Sequence, residues 1–296
     1  MLDVVVVAGG APQAAADIFG RRDAVVAGSG VPAGTAERVE GGYRVSGTWR
    51  YASGARYATT FTANCIVHEA GAPVLDGGRP RIRAMAFRPE DVRLSDSWDT
   101  SGMRATGSLD FTVEGAFVPE ARSFSVADAP REPGPLYRVP VGVVSELTVV
   151  AVAVGLGQRL AAEFARMAAA RRVPATATLV SGDPASQEAY AHARAAATIA
   201  EAALHDQATA IWAALSRGDI PGPQSLAVCS AVSVRIAMDL RQAAEELAAL
   251  VGMQAIARDN AFARARRDMA ALACHFAVAP RKLVGAGEAL LQSAAA

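Results

Sequence analysis

The chain has 296 residues, 52% hydrophobic and 20% charged, with 29 basic residues balancing 29 acidic ones. So apolar and neutral a composition excludes a disordered polyelectrolyte and gives no field to draw nucleic acid or an anionic membrane as a partner. The length fits about two domains at roughly 150 residues each.

Met1–Ala8 is an apolar run without a basic leader, so a signal peptide is not expected. No uncharged run approaches the ~18–20 residues of a membrane span. Cys65, Cys229 and Cys274 are too scattered for a metal site or a disulfide framework, which fits a reduced, cytoplasmic setting. Gly9-Gly10 faintly resembles the opening of a dinucleotide fold. That fingerprint needs three spaced glycines, however, and Pro12 follows here, so a turn or helix feeding the next domain is the competing reading. Gly28–Gly34 lacks the Gly-Lys-Ser/Thr ending of a phosphate loop and reads as a loop between strands.

Tyr43–Tyr51 alternates apolar and polar residues after the Gly41-Gly42 turn and predicts a strand. Phe61–Val67, Arg83–Arg88 (stopped by Pro89), Val92–Leu94, Leu109–Val113 and Gly115–Val118 predict more. Short strands at this spacing make a small antiparallel barrel or sandwich. Trp49 and Tyr51 should share one face with Ser53. An aromatic pair beside a hydroxyl can wall a planar ligand, although plain strand packing into a Ser53-Gly54 turn explains the same residues.

Near residue 140 the composition turns to Ala, Leu, Arg and Glu. Segment 140–172 predicts a buried helix ended by Arg171-Arg172 and Pro174. Asp183-Pro184 is an N-cap and N1 pair for a helix reaching about Leu215, with Gly218 beyond it. A third helix runs from about Gln224 to Leu250, and a fourth from Asn260 past His275 to a break near Pro280. The fold class is therefore α+β: a small β-barrel or sandwich domain, residues 25–130, followed by an up-and-down four-helix bundle, residues 138–296.

Arg264 and Asp268 are spaced to pair on the last helix, and His275 lies two turns beyond on nearly the same face. A histidine there can act as a general base. It can equally be a satisfied core residue, because Ala273, Phe276 and Val278 surround it. His68, His192 and His205 are scattered, and no catalytic triad, paired carboxylates or zinc spacing stands out.

Taken in order, these segments resemble the acyl-CoA dehydrogenase superfamily on its two-component flavin monooxygenase side, which includes p-hydroxyphenylacetate hydroxylase oxygenase components and dibenzothiophene monooxygenase. Ser29–Gly34 is similar to the first flavin loop, and Gly42–Gly54 to the second flavin strand. Asp96–Ser108 with Phe117–Glu120 is similar to the end of that β-domain, and Arg264–Asp268 with His275 to the last bundle helix. Ala105 stands where the family usually has glycine. The resemblance implies Ser29, Trp49, Tyr51, Ser53, Gly54, Arg104 and Ser108 as flavin contacts. Ser53 would lie near the reactive edge of the ring, and His275 would act as base or substrate orienter. It implies reduced FMN or FAD from a separate flavin reductase, oxygen activation in a dry pocket, an aromatic or polyketide-like small-molecule substrate, and a homo-oligomer, usually a tetramer. Family members open with an all-helical domain. Here the first flavin loop comes by residue 28, so residues 1–24 read as a remnant of that domain. Two alternatives follow. One is an FAD-linked acyl-CoA dehydrogenase, whose carboxylate base would be Glu245 or Glu246. The other is a truncated, non-catalytic paralogue that assembles with a longer partner.

Overall fold

The computed structural model describes residues 12–125, 128, 134–173 and 175–295. The Met1–Ala8 run, Gly9-Gly10, residue 130 at the expected domain boundary and Pro174 lie outside them. Two compact units emerge. One comprises the residues up to Asp99 with Arg104–Tyr137, the other Thr100–Met103 with Arg138 onward.

Among the described residues the first unit holds helix α1 (Pro12–Phe19) and ten strands. These are β1 (Val26–Val39), β2 (Gly42–Ala52), β3 (Thr60–Glu69), β4 (Ala72–Pro73), β5 (Leu75–Asp76), β6 (Arg79–Pro80), β7 (Ile82–Phe87), β8 (Arg93–Ser95), β9 (Leu109–Pro119) and β10 (Ser123–Phe124). The main sheet runs β10-β7-β3-β1-β2-β9-β8, with β4 on β3; β5 and β6 form a separate hairpin. Every pairing is antiparallel except β1 with β3, so the sheet is mixed where antiparallel pairing was expected. The chain returns along β2 and crosses through the short turn Ala55–Tyr57 before β3 lies down on the far side of β1. A parallel pair needs such a crossover, and side-chain alternation does not record it.

The core of this unit is built around Trp49, which is fully buried. Its ring stacks on Phe111 at 5.2 Å and lies 5.8 Å from Phe87. Gly34 and Gly47 make room for it, since a Cβ added at either would stand 2.1 Å and 2.7 Å from ring atoms. The indole N–H donates to the Asn64 carbonyl at 2.9 Å, so the largest core side chain also has its polar atom satisfied. Ile18 of α1 packs with Ala84, Ala86 and Phe124 in a smaller cluster.

The second unit contains α2 (Val141–Ala170), α3 (Pro184–Ser216), α4 (Pro223–Val251), α5 (Ala261–Leu272) and α6 (Lys282–Ala294). Asp183 caps α3 by accepting the Ser186 N–H at 2.9 Å, and Asn260 caps α5 through Ala263 N–H at 3.1 Å. The first three helices fall where the sequence placed them. The fourth ends at Leu272, before His275, and α6 is a fifth helix that the expected four-helix bundle lacked. By length and composition α2 is apolar enough to cross a membrane, which the search for an uncharged run did not flag. Its buried residues Val150, Val154, Leu160 and Phe164 join Leu240, Leu247, Phe262 and Met269 of α4 and α5 in one core.

Thr100–Met103 belongs to this helical unit. Gly102 presses on α5 so closely that an added Cβ would lie 2.0 Å from the Arg267 carbonyl oxygen. Met103, at φ 52°, donates its N–H to the Asp268 carboxylate at 2.5 Å. Asp268 thus serves this segment. No Arg264–Asp268 ion pair occurs among the described residues.

Candidate functional site

In the β unit the end of β2 carries a bulge. Its register with β9 holds to Trp49↔Phe111 and resumes at Ala52↔Leu109, one residue longer on β2. Tyr51 takes up the excess at φ 68°, and its N–H donates to the Asp110 carboxylate at 3.3 Å. A tyrosine in the left-handed region is strained, at a cost on the order of 1–3 kcal/mol that the surroundings must impose. The bulge turns the side chain over. Trp49 points into the core, while Tyr51 is 63% exposed, with Trp98 edge-on at 6.1 Å. The two aromatics therefore do not share a face as strict alternation predicted. Trp49 packs beneath the strand, and Tyr51 is the one presented outward.

Just beyond the bulge, three hydroxyls line up. Ser53 Oγ and Ser108 Oγ are 2.7 Å apart, as are Ser108 Oγ and Thr106 Oγ1. Ser108 is buried, whereas Ser53 opens to solvent. Gly54, at φ 79°, donates its N–H to the Thr106 carbonyl at 2.7 Å and fixes the two segments together. Each hydroxyl can donate one proton and accept two, so the row can present either polarity at Ser53. Thr106 falls inside the Asp96–Ser108 segment, where only Arg104 and Ser108 were expected as flavin contacts.

Ser29 sits in β1, not in a loop between strands. The parallel register with β3 slips between Ser29↔Ala63 and Gly34↔Cys65, so the exposed residues 30–33 are thrown out as a bulge. Asn64 holds it by donating from its side-chain amide to the Gly30 carbonyl at 2.8 Å. Asn64 also accepts from Trp49. Through this residue, which the sequence reading missed, the buried indole supports the bulge. Arg104 is solvent-exposed and 3.9 Å from Asp99, a pairing worth little in water.

In the helical unit His275 follows α5 and caps the turn Phe276–Val278. Its Nδ1 accepts the Ala277 N–H at 3.3 Å, and its ring lies 4.6 Å from Phe276. Partial burial of the ring, and then the Lys282 ammonium, hold its pKa below the usual histidine value. Glu245 is engaged by Arg266 at 3.0 Å, and Glu246 by His192 at 2.6 Å and Gln242 at 2.9 Å. Both carboxylates are tied into helix-face pairs and are not poised as bases. The buried thiols are inert as nucleophiles: burial pushes Cys65 up to about 12 and Cys229 up to about 11. Among the described residues no group of acidic, histidine and cysteine side chains forms a metal site.

The family model for the acyl-CoA dehydrogenase C-terminal domain matches residues 147–280. An indole-3-acetate monooxygenase from Pseudomonas putida is 31% identical over 268 residues, covering 88% of this chain and 66% of that protein. Residues 147–280 thus carry the acyl-CoA dehydrogenase C-terminal domain. A second relative, the flavin-dependent monooxygenase oxygenase subunit HsaA of Rhodococcus jostii, is 34% identical over 154 residues, 49% of this chain and 38% of that one. Among solved structures, 3-HSA hydroxylase from Rhodococcus sp. RHA1 superposes with a TM-score of 0.83 at 26% identity, over 97% of this chain and 77% of that one. XiaF from Streptomyces, solved with FADH2 and glycerol, has the same fold at a TM-score of 0.86 and 24% identity, over 98% of this chain and 74% of its own. The chain spans 38% to 66% of the length of the first curated relatives it matches.

Proposed function

We propose that this chain is the oxygenase component of a two-component flavin-dependent monooxygenase, acting on an aromatic or polyketide-like small molecule. The observation that carries the reading is the end of β2. Tyr51 is forced outward by a strained bulge, next to the hydroxyl row Ser53–Ser108–Thr106. These residues suit a flavin: a flat apolar ring for the isoalloxazine face, and hydroxyls able to donate to or accept from its polar edge. Trp98, Gly54 and the Ser29 bulge belong to the same unit and would complete the cradle.

When bound, reduced FMN or FAD supplies the electrons that activate oxygen, and a separate reductase delivers it. Ser53 would offer a hydrogen bond to the ring's edge, with Ser108 and Thr106 setting the direction of its proton. Tyr51 would stack on the ring and cover it from water. His275 orients the substrate through its remaining ring nitrogen. The names of the relatives favour an oxygenase, and the engagement of Glu245 and Glu246 disfavours the dehydrogenase alternative. A homo-oligomer is part of the same proposal, testable by light scattering.

The test is anaerobic titration of the purified chain with reduced FMN and FADH2, followed by oxygen and a panel of phenols and indoles. Binding of reduced flavin, and hydroxylated product lost in Ser53→Ala and His275→Ala, supports the reading. Flavin bleaching by acyl-CoA thioesters without oxygen would replace it with the dehydrogenase. No flavin binding at all, with co-purification of a longer homologue, would make the chain a non-catalytic paralogue.

A further inference from the structure

Asp110 lies on the outward side of β9, between Leu109 and Phe111, whose side chains are buried. Across the ladder it faces two residues of β2 where a regular strand would offer one, because the register passes from Trp49↔Phe111 to Ala52↔Leu109. A left-handed residue in a strand is ordinarily glycine, which has no Cβ to strain. Here it is Tyr51, at φ 68°, and the Asp110 carboxylate accepts its N–H at 3.3 Å.

The backbone of Asp110 engages a second aromatic. Asp110 pairs with Ser95 of β8, and its N–H donates to the Ser97 hydroxyl at 3.0 Å. The Ser97 N–H donates to the Ser95 carbonyl at 2.9 Å, and the Asp99 N–H to the Ser97 carbonyl at 3.1 Å. These are two successive three-residue turns, and Trp98 is the central residue of the second. Trp98 packs against the core of the β unit and meets the Tyr51 ring edge-on at 6.1 Å, with 71° between the planes. Ring quadrupoles favour such an edge-to-face pair, but the rings meet only where both backbones are fixed. Asp110 touches both backbones, one through its carboxylate and the other through its N–H, and all of these residues belong to the β unit.

We propose that Asp110 is the positioning residue of the flavin site. Its carboxylate holds Tyr51 in the left-handed bulge, its N–H anchors the turn that carries Trp98, and the two rings stand as one preformed wall for an isoalloxazine. This rests on the flavin-dependent reading for the identity of the ligand; the hold on Tyr51 and Trp98 does not. Without the carboxylate acceptor, Tyr51 relaxes toward the negative φ that a side chain prefers, and its ring leaves Trp98. A wall formed in only a fraction of the molecules lowers the apparent flavin affinity by that fraction.

The test compares Asp110→Ala, Asp110→Asn and Ser97→Ala in the whole chain, each checked for folding by circular dichroism. In isotope-labelled wild type the Tyr51 backbone chemical shifts should report a left-handed residue with a protected amide, and ring-to-ring NOEs should connect Tyr51 with Trp98. In Asp110→Ala the Tyr51 amide should exchange roughly 10- to 150-fold faster, the span of a hydrogen bond to a charged group, and the NOEs should fade. Asp110→Asn keeps an oxygen acceptor and should restore both. Ser97→Ala should lose the NOEs while Tyr51 stays left-handed. Anaerobic titration with reduced FMN and FADH2 then reads the ligand, and Asp110→Ala should bind more weakly by up to the same factor. Placed in a Tyr51→Gly background, Asp110→Ala should stay within about twofold of its parent, because glycine takes the positive φ unaided and no ring is left to hold. Unchanged Tyr51 exchange and NOEs in folded Asp110→Ala overturn the proposal. So does a Ser97→Ala variant that keeps the NOEs, or an equal loss of affinity in the Tyr51→Gly background. If neither flavin binds the wild type while the amide and the NOEs respond as stated, the flavin reading falls and the hold of Asp110 on the two rings stands.

Discussion

Replacing Gly102 with alanine tests the packing of Thr100–Met103 on α5. The new Cβ would meet Arg267 O at 2.0 Å, Arg267 C at 2.4 Å and Asp268 N at 2.8 Å, all of them backbone atoms that cannot swing aside. Ordinary contact is about 3.5 Å, so the segment must lift by roughly 1.5 Å. The Met103–Asp268 bond, now 2.5 Å, would then open beyond hydrogen-bonding range. A hydrogen bond to a charged group is worth about 1.5–3 kcal/mol, which for a unit of this size lowers Tm by roughly 3–12 °C. The same energy predicts exchange of the Met103 amide roughly 10- to 150-fold faster. Calorimetry and amide exchange read both quantities. Gly107→Ala is the control: Gly107 is at φ 51° with nothing near its Cβ, so only backbone strain is added there. If Gly102→Ala melts within about 1 °C of wild type and leaves Met103 exchange unchanged, the close approach is not what holds the segment.

Trp49→Ala should cost about 3–5 kcal/mol by emptying a fully buried site, measured by denaturant unfolding. Trp49→Phe should cost less but free the Asn64 carbonyl, and amide exchange at Gly30, Val31 and Ala33 should rise with it. Tyr51→Gly relieves the left-handed strain while Tyr51→Ala keeps it, so the glycine variant should melt at or above the alanine variant although both lose flavin affinity. Lys282→Met leaves the buried Glu146 carboxylate without its cation and should lose about 3–5 kcal/mol in a thermal melt, most of it regained in the double variant with Glu146→Gln. Because the folded state depresses the pKa of His275, the unfolded chain binds its proton first. Stability from this group is full above the unfolded histidine value and is lost as pH falls from there toward the folded value; His275→Gln should flatten that slope.

Much of this was legible where a side chain serves one local rule. The alternation of Tyr43–Trp49, the cap Asp183 and the helix start near Asn260 are of that kind, and each appears in place. What was hidden lies in the backbone or between distant segments. Gly28, Gly30, Pro32 and Gly34 read as loop residues. They lie instead along a 14-residue strand that bulges between Ser29 and Gly34. Nothing in the letters says that Tyr51 adopts a positive φ, so the alternation that placed it beside Trp49 failed at that step. Pro280 looked like the end of the helices, but α6 begins just after it, at Lys282. Asn64 through its side-chain amide and Thr106 through its carbonyl tie to backbone 34 and 52 residues away, and such ties leave no periodic trace.

Lys282 also makes the chain its own chemical gauge. Its side chain holds the only ε-amine, and that amine is paired with the buried Glu146 carboxylate. Acylation mapped to this one side chain therefore reports a single event, the parting of α6 from α2. The rate at which a single mass increment appears on Lys282 would time the opening of the helical unit, with no label and no engineered probe.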